Sequence, residues 1–169
     1  RHAWHAAAEL GELVRRAPDV QCRTITALRF TDRAAEETVL LDFQVRSAGV
    51  REVRFVLPER LAGARVRAPL VRRRERTRRE DGTQTVWLQF QDSLVGQVRV
   101  LVEDDRMVRD QPQSVSLPQV ETGRVVRQYV ALENAGRDEL VLDASEGLEG
   151  LTRQQSEWHE VSDLMGGGM

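Results

Sequence analysis

Six arginines within residues 72–79 are the side chains with the clearest capacity for chemistry. They are Arg72, Arg73, Arg74, Arg76, Arg78 and Arg79. Guanidinium groups match the geometry of phosphate oxygens, so this strip could bind nucleic acid, lipopolysaccharide or another polyanion. However, Glu75, Glu80 and Asp81 interrupt the run, and it contains no aromatic residue on which a base could stack. We therefore interpret it first as a solvated hairpin strand and keep polyanion binding as the alternative.

The hairpin interpretation depends on the residues that follow the run. Asp81-Gly82 is a strong hairpin signal, and after it Val86, Leu88 and Phe90 alternate with polar residues. A loop of either two or three residues places charged side chains opposite these apolar positions. An edge strand or protruding ribbon resolves the conflict, because inward charges block edge-to-edge pairing and arginine stems cover apolar surface. Trp87, on the other face, could then hold an arginine against its ring. The predicted contact site for a partner or polyanion is thus the six arginines with Trp87.

Other groups with chemical potential give weaker signals. His2, His5 and Glu9 would share one face of a helix and could hold a metal, but no matching ligand motif follows them. His159 is flanked by two glutamates, yet no nucleophile is tied to it by spacing. Serine nucleophile elbows, Walker loops, dinucleotide glycine fingerprints and zinc-finger cysteine pairs are absent from the sequence. We therefore predict no catalytic residue, no metal and no cofactor, and a protein that is not an enzyme.

The composition fits an ordinary folded domain. The 169 residues suffice for a core without disulfides or metals. The 25 basic residues are all arginine and face 27 acidic ones, which leaves a formal charge of -2. This near balance argues against a dedicated polyanion binder. The single cysteine, Cys22, cannot form an internal disulfide and is expected to be a small buried strand residue.

Apolar residues alternate along most of the chain, which predicts β-strands. The first strand places six residues on one face: Val20, Cys22, Thr24, Thr26, Leu28 and Phe30. Two further strands are predicted with inward residues Val39, Leu41, Phe43 and Val45, and then Val53, Phe55 and Leu57. The pattern returns after the hairpin at Val98, Val100 and Val102, then near Tyr129, and finally at Leu140 and Leu142. A short helical turn is predicted to begin at Thr152.

These elements predict a mainly β fold, an antiparallel β-sandwich with a short N-terminal helix. We expect a helical or linker segment over 1–18 and an antiparallel β domain over 19–104. A proline-containing connection spans 105–123. Residues 124–164 either complete the sandwich or begin a second module, and residues 165–169 form a flexible tail.

The order of three stretches resembles the modules of large bacterial envelope proteins built from serial β-sandwiches. These stretches are "VREVRFVLPERLAGARVRAP", "TVWLQFQDSLVGQVRVLVE" and "SLPQVETGRVVRQYVALENAGRDELVLDASEGLEGL", and the resemblance covers about residues 36–151. It rests on a strand ending in Leu-Pro, a hairpin, a Leu-x-Gly strand turn and a Tyr-Val-Ala-Leu strand. It implies an exported or membrane-anchored parent protein with a scaffolding or partner-binding role, and it carries over no catalytic residues.

The leading hypothesis is therefore a non-enzymatic structural or protein-interaction module of a bacterial cell-envelope protein. Its partner would be another protein or a neighbouring module of the same chain, and nucleic acid is not the expected partner. The alternatives are a polyanion-binding module and a carbohydrate-binding β domain. The chain begins at Arg1 and has no signal-peptide pattern and no apolar run of about 20 residues. We therefore expect a piece of a longer protein in the periplasm or envelope, with any membrane anchor elsewhere and a cytoplasmic location left open.

Overall fold

A computed structural model describes residues 16–108 and 112–166, and the structural statements below refer to these residues. They are mainly β, with a single sheet of seven strands. The elements, in chain order, are β1 (Asp19–Phe30), β2 (Ala34–Leu57), a 3-10 helix (Glu59–Leu61), β3 (Arg65–Arg67), β4 (Val71–Arg78), β5 (Gln84–Met107), β6 (Gln119–Val120), β7 (Arg124–Asn134) and α1 (Ser156–Gly166).

Two strands of 24 residues, β2 and β5, organise the sheet. They pair antiparallel with each other, and their register breaks between Val45 and Val50, where Ser47 has a φ of 69°. The sequence predicted two separate strands where β2 runs and two where β5 runs, and this prediction is wrong. Each strand continues past the register break and stays paired with the other, as in a β-bulge. The strands therefore change direction locally instead of ending at a turn.

The bulge divides the sheet into two sectors. The first sector contains β7, β1, the first half of β2, the second half of β5, and β3. The second sector contains β6, the second half of β2, the first half of β5, and β4. Both sectors contribute to one hydrophobic core, which joins residues such as Phe43 and Val100 with Phe55 and Leu88. The predicted inward faces of β2 and β5 are therefore confirmed. That of β1 is confirmed in part, because Phe30 is only half-buried and Ile25, on the opposite face, is also buried.

The prediction of a purely antiparallel sheet is wrong, because β7 runs parallel to β1. The long connection after β5 carries the chain past β6 and brings it back beside β1 in the same direction. Gly123, just before β7, has a φ of +79°, and a Cβ there would lie 2.5 Å from the carbonyl oxygen of Val20. Only glycine combines this backbone conformation with so close an approach.

The predicted helices and the last predicted strand have different outcomes. The predicted N-terminal helix falls largely outside the described residues, and residues 16–18 have no regular structure. The predicted C-terminal helical turn is confirmed as α1, although it begins at Ser156. The strand predicted through Leu140 and Leu142 is not formed. No helix in the described part of the chain is long and apolar enough to cross a membrane.

The missing strand has a local cause at the end of β7. The side-chain amide of Asn134 donates to the carbonyl of Asp138 at 2.8 Å, and the backbone N–H of Arg137 donates to Asp32 at 2.6 Å. These bonds turn the chain away from β7, so residues 138–150 follow no neighbouring strand and are exposed. The sequence pattern could show that this segment suits a strand, but not that it lacks a partner.

Candidate edge-strand contact site

The arginine run forms β4, which pairs only with β5 among the described strands. The predicted edge strand is therefore confirmed. A three-residue loop connects Arg79 to Thr83, with Gly82 at a φ of +84°. Two hydrogen bonds from Thr83 to Asp81 close this loop and lower the pKa of the Asp81 carboxyl. The loop sets the register in which Arg76 lies opposite Val86 and Arg74 opposite Leu88.

The free edge of β4 follows from the direction of its main-chain groups. The N–H of Arg79 donates to the carbonyl of Thr83 across the hairpin. Main-chain groups alternate in direction along a strand, so those of Thr77 and Glu75 also point toward β5. The N–H and C=O groups of Arg74, Arg76 and Arg78 therefore point outward. In the described part of the chain no strand pairs with them, so they are available to a partner strand.

Two arginines of β4 tie the strand to the turn between β2 and β3. Arg76 donates to the carbonyls of Ala62 and Ala64 at 3.1 and 2.6 Å, and Arg78 pairs with Glu59 at 3.1 Å. Burial, followed by the charge of Arg74, lowers the pKa of Arg76. These contacts connect the second sector to the turn that leads into the first, so both side chains have a structural role.

Two further arginines are used on the outer face of the second sector. Arg79 donates to Thr85 at 2.8 Å and pairs with Glu121, which follows β6. Arg73 pairs with Glu75, and its guanidinium lies 5.8 Å from the centre of the Trp87 ring. Only Arg72 and Arg74 of the six have neither an ion pair nor a side-chain hydrogen bond to a described residue.

Trp87 is held between two strands by cations. Arg54 on β2 lies 5.5 Å from the ring centre, so two guanidinium groups pack on this indole, as predicted for one. A shallow pocket of about 230 Å³ lies here, lined by Arg54, Glu75, Thr77, Thr85 and Trp87. A sugar ring that stacked on the indole would compete with these guanidinium groups.

The sequence analysis did not identify the residues that pair with these arginines. Arg54 could have been found, because its alternation in β2 places it on the same face as Trp87. Glu59 and Glu121 could not, since they reach β4 from turns that no periodicity describes. As a result, four of the six arginines connect parts of the fold, and only Arg72 and Arg74 have no such contact with a described residue.

Two carboxylates are buried within the sheet, and the sequence did not single them out. The carboxylate of Glu37 forms ion pairs with Arg60 at 2.7 Å and with Arg106 at 2.8 Å. On the opposite face of β2, the carboxylate of Asp42 pairs with Arg23 at 2.6 Å and accepts a hydrogen bond from the side-chain amide of Gln97 at 2.8 Å. Both carboxylates are 1% exposed. Their oxygens are already occupied by donors, so the geometry suits them to holding strands together and not to acid-base chemistry.

Cys22 lies in the core and is fully buried. Burial first, and the charge of Asp42 second, raise the pKa of its thiol to about 12. The thiol therefore stays protonated near neutral pH and is a poor nucleophile. This result confirms the predicted small buried strand residue.

Comparisons with known proteins do not assign this arrangement to a family. A scan of protein-family models finds no match to the chain, and a search of curated proteins finds no significant match either. Among the described residues no three potential ligands are grouped in a way that could hold a metal ion. His2, His5 and Glu9, which the sequence offered only as possible ligands, lie outside the described residues.

Proposed function

We propose that this chain is a non-enzymatic β module that binds another protein through the free edge of β4. A single observation carries the proposal: no described strand pairs with the outward main-chain groups of β4, while four of the six arginines at 72–79 are used within the chain. An added strand would bond to the outward groups of Arg74, Arg76 and Arg78. Arg72 and Arg74 would contribute charge. This is recognition by β-strand addition, in which main-chain bonds supply affinity and side chains supply specificity.

The proposal includes the finer architecture and the setting. The core shared by the two sectors supports a sandwich-like packing of their inner faces. We also propose that the module belongs to a longer bacterial envelope protein, located in the periplasm or at the envelope, as the resemblance implies. In such a chain, a charged edge strand would limit indiscriminate pairing between neighbouring modules while leaving room for a matched partner.

The polyanion alternative makes a different quantitative prediction. Binding to duplex DNA loses affinity with salt at a logarithmic slope of about -0.9 per phosphate contact. Two free arginines predict a slope of about -2, whereas six would give about -5. We expect weak binding with the smaller slope when a labelled DNA duplex is titrated at several salt concentrations, and its loss in an Arg72→Gln, Arg74→Gln variant. A slope near -5 would establish the polyanion function and contradict our proposal.

Photo-crosslinking tests whether the β4 edge contacts protein. A benzoylphenylalanine at position 72, next to the free edge, is compared with one at the exposed position 46 on β2. We expect protein adducts at position 72 in bacterial cells, identified by mass spectrometry, and none at position 46. Arg74→Pro removes an outward N–H without breaking the β4–β5 ladder, so it should abolish the adducts, whereas Arg74→Gln should only reduce them. Nucleic-acid or glycan adducts, or equal yields at both positions, would contradict the proposal.

A further inference from the structure

Residues 138–149 are acidic and apolar, and no strand in the described part of the chain pairs with them. Asp138, Glu139, Asp143, Glu146 and Glu149 supply five negative charges, and the segment contains no arginine. Its apolar side chains are exposed, at 39% for Leu140, 68% for Val141 and 64% for Leu142. Three exposed apolar residues between carboxylates have the composition of a strand that lacks a neighbour. We name residues 138–149 the acidic segment.

The charge of β4 complements this segment. Residues 72–79 contain six arginines and one glutamate, a net charge of +5, against -5 for the acidic segment. The two parts cannot meet easily within one chain. They lie on opposite sides of the sheet, because β7 ends the strand order next to β1 whereas β4 pairs with β5. Moreover, the N–H of Arg137 holds the start of the acidic segment at Asp32.

We propose that the acidic segment of one copy of this chain adds as an antiparallel strand to the free edge of β4 in a second copy. The inference rests on the proposed function and names its partner. The incoming main chain bonds to the outward groups of Arg74, Arg76 and Arg78. Exchange between two copies closes a dimer if it is reciprocal and forms a head-to-tail chain if it is not.

Charge pairing selects the register of the added strand. With Leu140 opposite Thr77, Asp143 lies opposite Arg74, Glu139 opposite Arg78, and Asp138 opposite Arg79. Arg78 and Arg79 also pair with Glu59 and Glu121 of their own chain. Among registers that keep Leu140–Leu142 against β4, this one brings the most carboxylates opposite arginines. It also places Leu142, and not a carboxylate, opposite Glu75, since like charges directly opposite destabilise a sheet. Arg74 then gains an acceptor, which it has from none of the described residues of its own chain.

Sedimentation equilibrium of the whole chain tests for the association. We expect a mass above 19.2 kDa that rises with protein concentration at low salt. Association should weaken about tenfold or more at high salt, because the contact relies on partly exposed charges. Glu139→Gln with Asp143→Asn should weaken it by a similar factor. The matched control, Asp19→Asn with Asp105→Asn, makes the same charge change at exposed sites that are not next to β4 and should leave it unchanged.

The backbone contact and the register are tested separately. Arg74→Pro should abolish association, and Arg74→Gln should leave part of it. For the register, a Thr77→Cys variant is mixed with a Leu140→Cys variant under mild oxidation. Directly opposite residues can form a disulfide, so we expect a heterodimer from this mixture and much less from Thr77→Cys with Val141→Cys. Because Cys22 is buried with a raised thiol pKa, it should contribute no background.

The outcomes separate this inference from the proposed function. A monomer at all concentrations and at low salt, or equal disulfide yields in the two mixtures, would overturn the association between copies. If position 72 still crosslinks to another protein, the β4 edge remains a protein-binding site and only the identity of its partner is wrong. If position 72 captures no protein and the chain is monomeric, both proposals fail.

Discussion

Replacing Arg60 and Arg106 together by leucine should lower the free energy of unfolding by about 3–5 kcal/mol at neutral pH. Both guanidinium groups pair with Glu37, whose side chain is fully buried. Without them the carboxylate stays in the core with its charge uncompensated, and the desolvation of that charge is no longer offset. Arg60 also donates to the carbonyl of Ser116 at 2.6 Å, so part of the connection between β5 and β6 would loosen as well.

The measurement is chemical denaturation of the wild type and the variants. Adding Glu37→Leu to the double variant should restore most of the lost stability, because an apolar side chain suits the emptied site. Arg67→Leu provides a matched control, since its partner Glu103 is on the surface and such pairs contribute less than about 1 kcal/mol. A double variant as stable as the control would show that the buried cluster does not stabilise the fold.

Phe43→Ala should lower the free energy of unfolding by about 3–5 kcal/mol, as expected for a fully buried phenylalanine. Phe43 lies in the first sector, whereas Trp87 lies in the second. Because the two sectors share one core, the loss should be felt in both. The fluorescence of Trp87 and the far-UV circular dichroism should therefore show the same shifted transition.

A Trp4→Phe, Trp158→Phe background leaves Trp87 as the single tryptophan of the chain. Phe55→Ala in that background serves as the reciprocal variant. We expect Phe43→Ala and Phe55→Ala to produce shifts of similar size. If Phe43→Ala shifts the circular dichroism but leaves the Trp87 transition in place, the sectors unfold independently. That result would contradict a sandwich-like packing.

The features that the sequence predicted are those encoded by local alternation. The inward faces of β2 and β5, the edge position of β4 and the cation above Trp87 all follow from a period of two and a hairpin turn. For β1 the alternation did not show that Ile25, on the other face, is buried as well. The alternation did not predict that β2 continues through Ser47, because a bulge and a turn produce similar breaks in the pattern. The parallel pairing of β7 depends on the path of a long connection, which periodicity does not describe.

The candidate site was predictable only in outline. The arginines were visible as a group, but their partners come from two connections that tertiary packing brings to them: Glu59 and Ala64 lie between β2 and β3, and Glu121 follows β6. For the same reason, the sequence could not show which arginines remain free. Glu37 follows the inward alternation of β2, yet only the arrival of Arg60 and Arg106 makes a buried carboxylate tolerable there.

The ties between β4 and the turn after β2 have a mechanical consequence. Arg76 donates to the carbonyls of Ala62 and Ala64, in the same turn as Arg60, which pairs with the buried Glu37, and Glu37 pairs also with Arg106 on β5. A pulling force on β4 is thus shared between its ladder with β5 and this series of contacts into the core. If such a module were under tension in a longer protein, force applied to β4 would reach the hydrophobic core before β4 separated from β5.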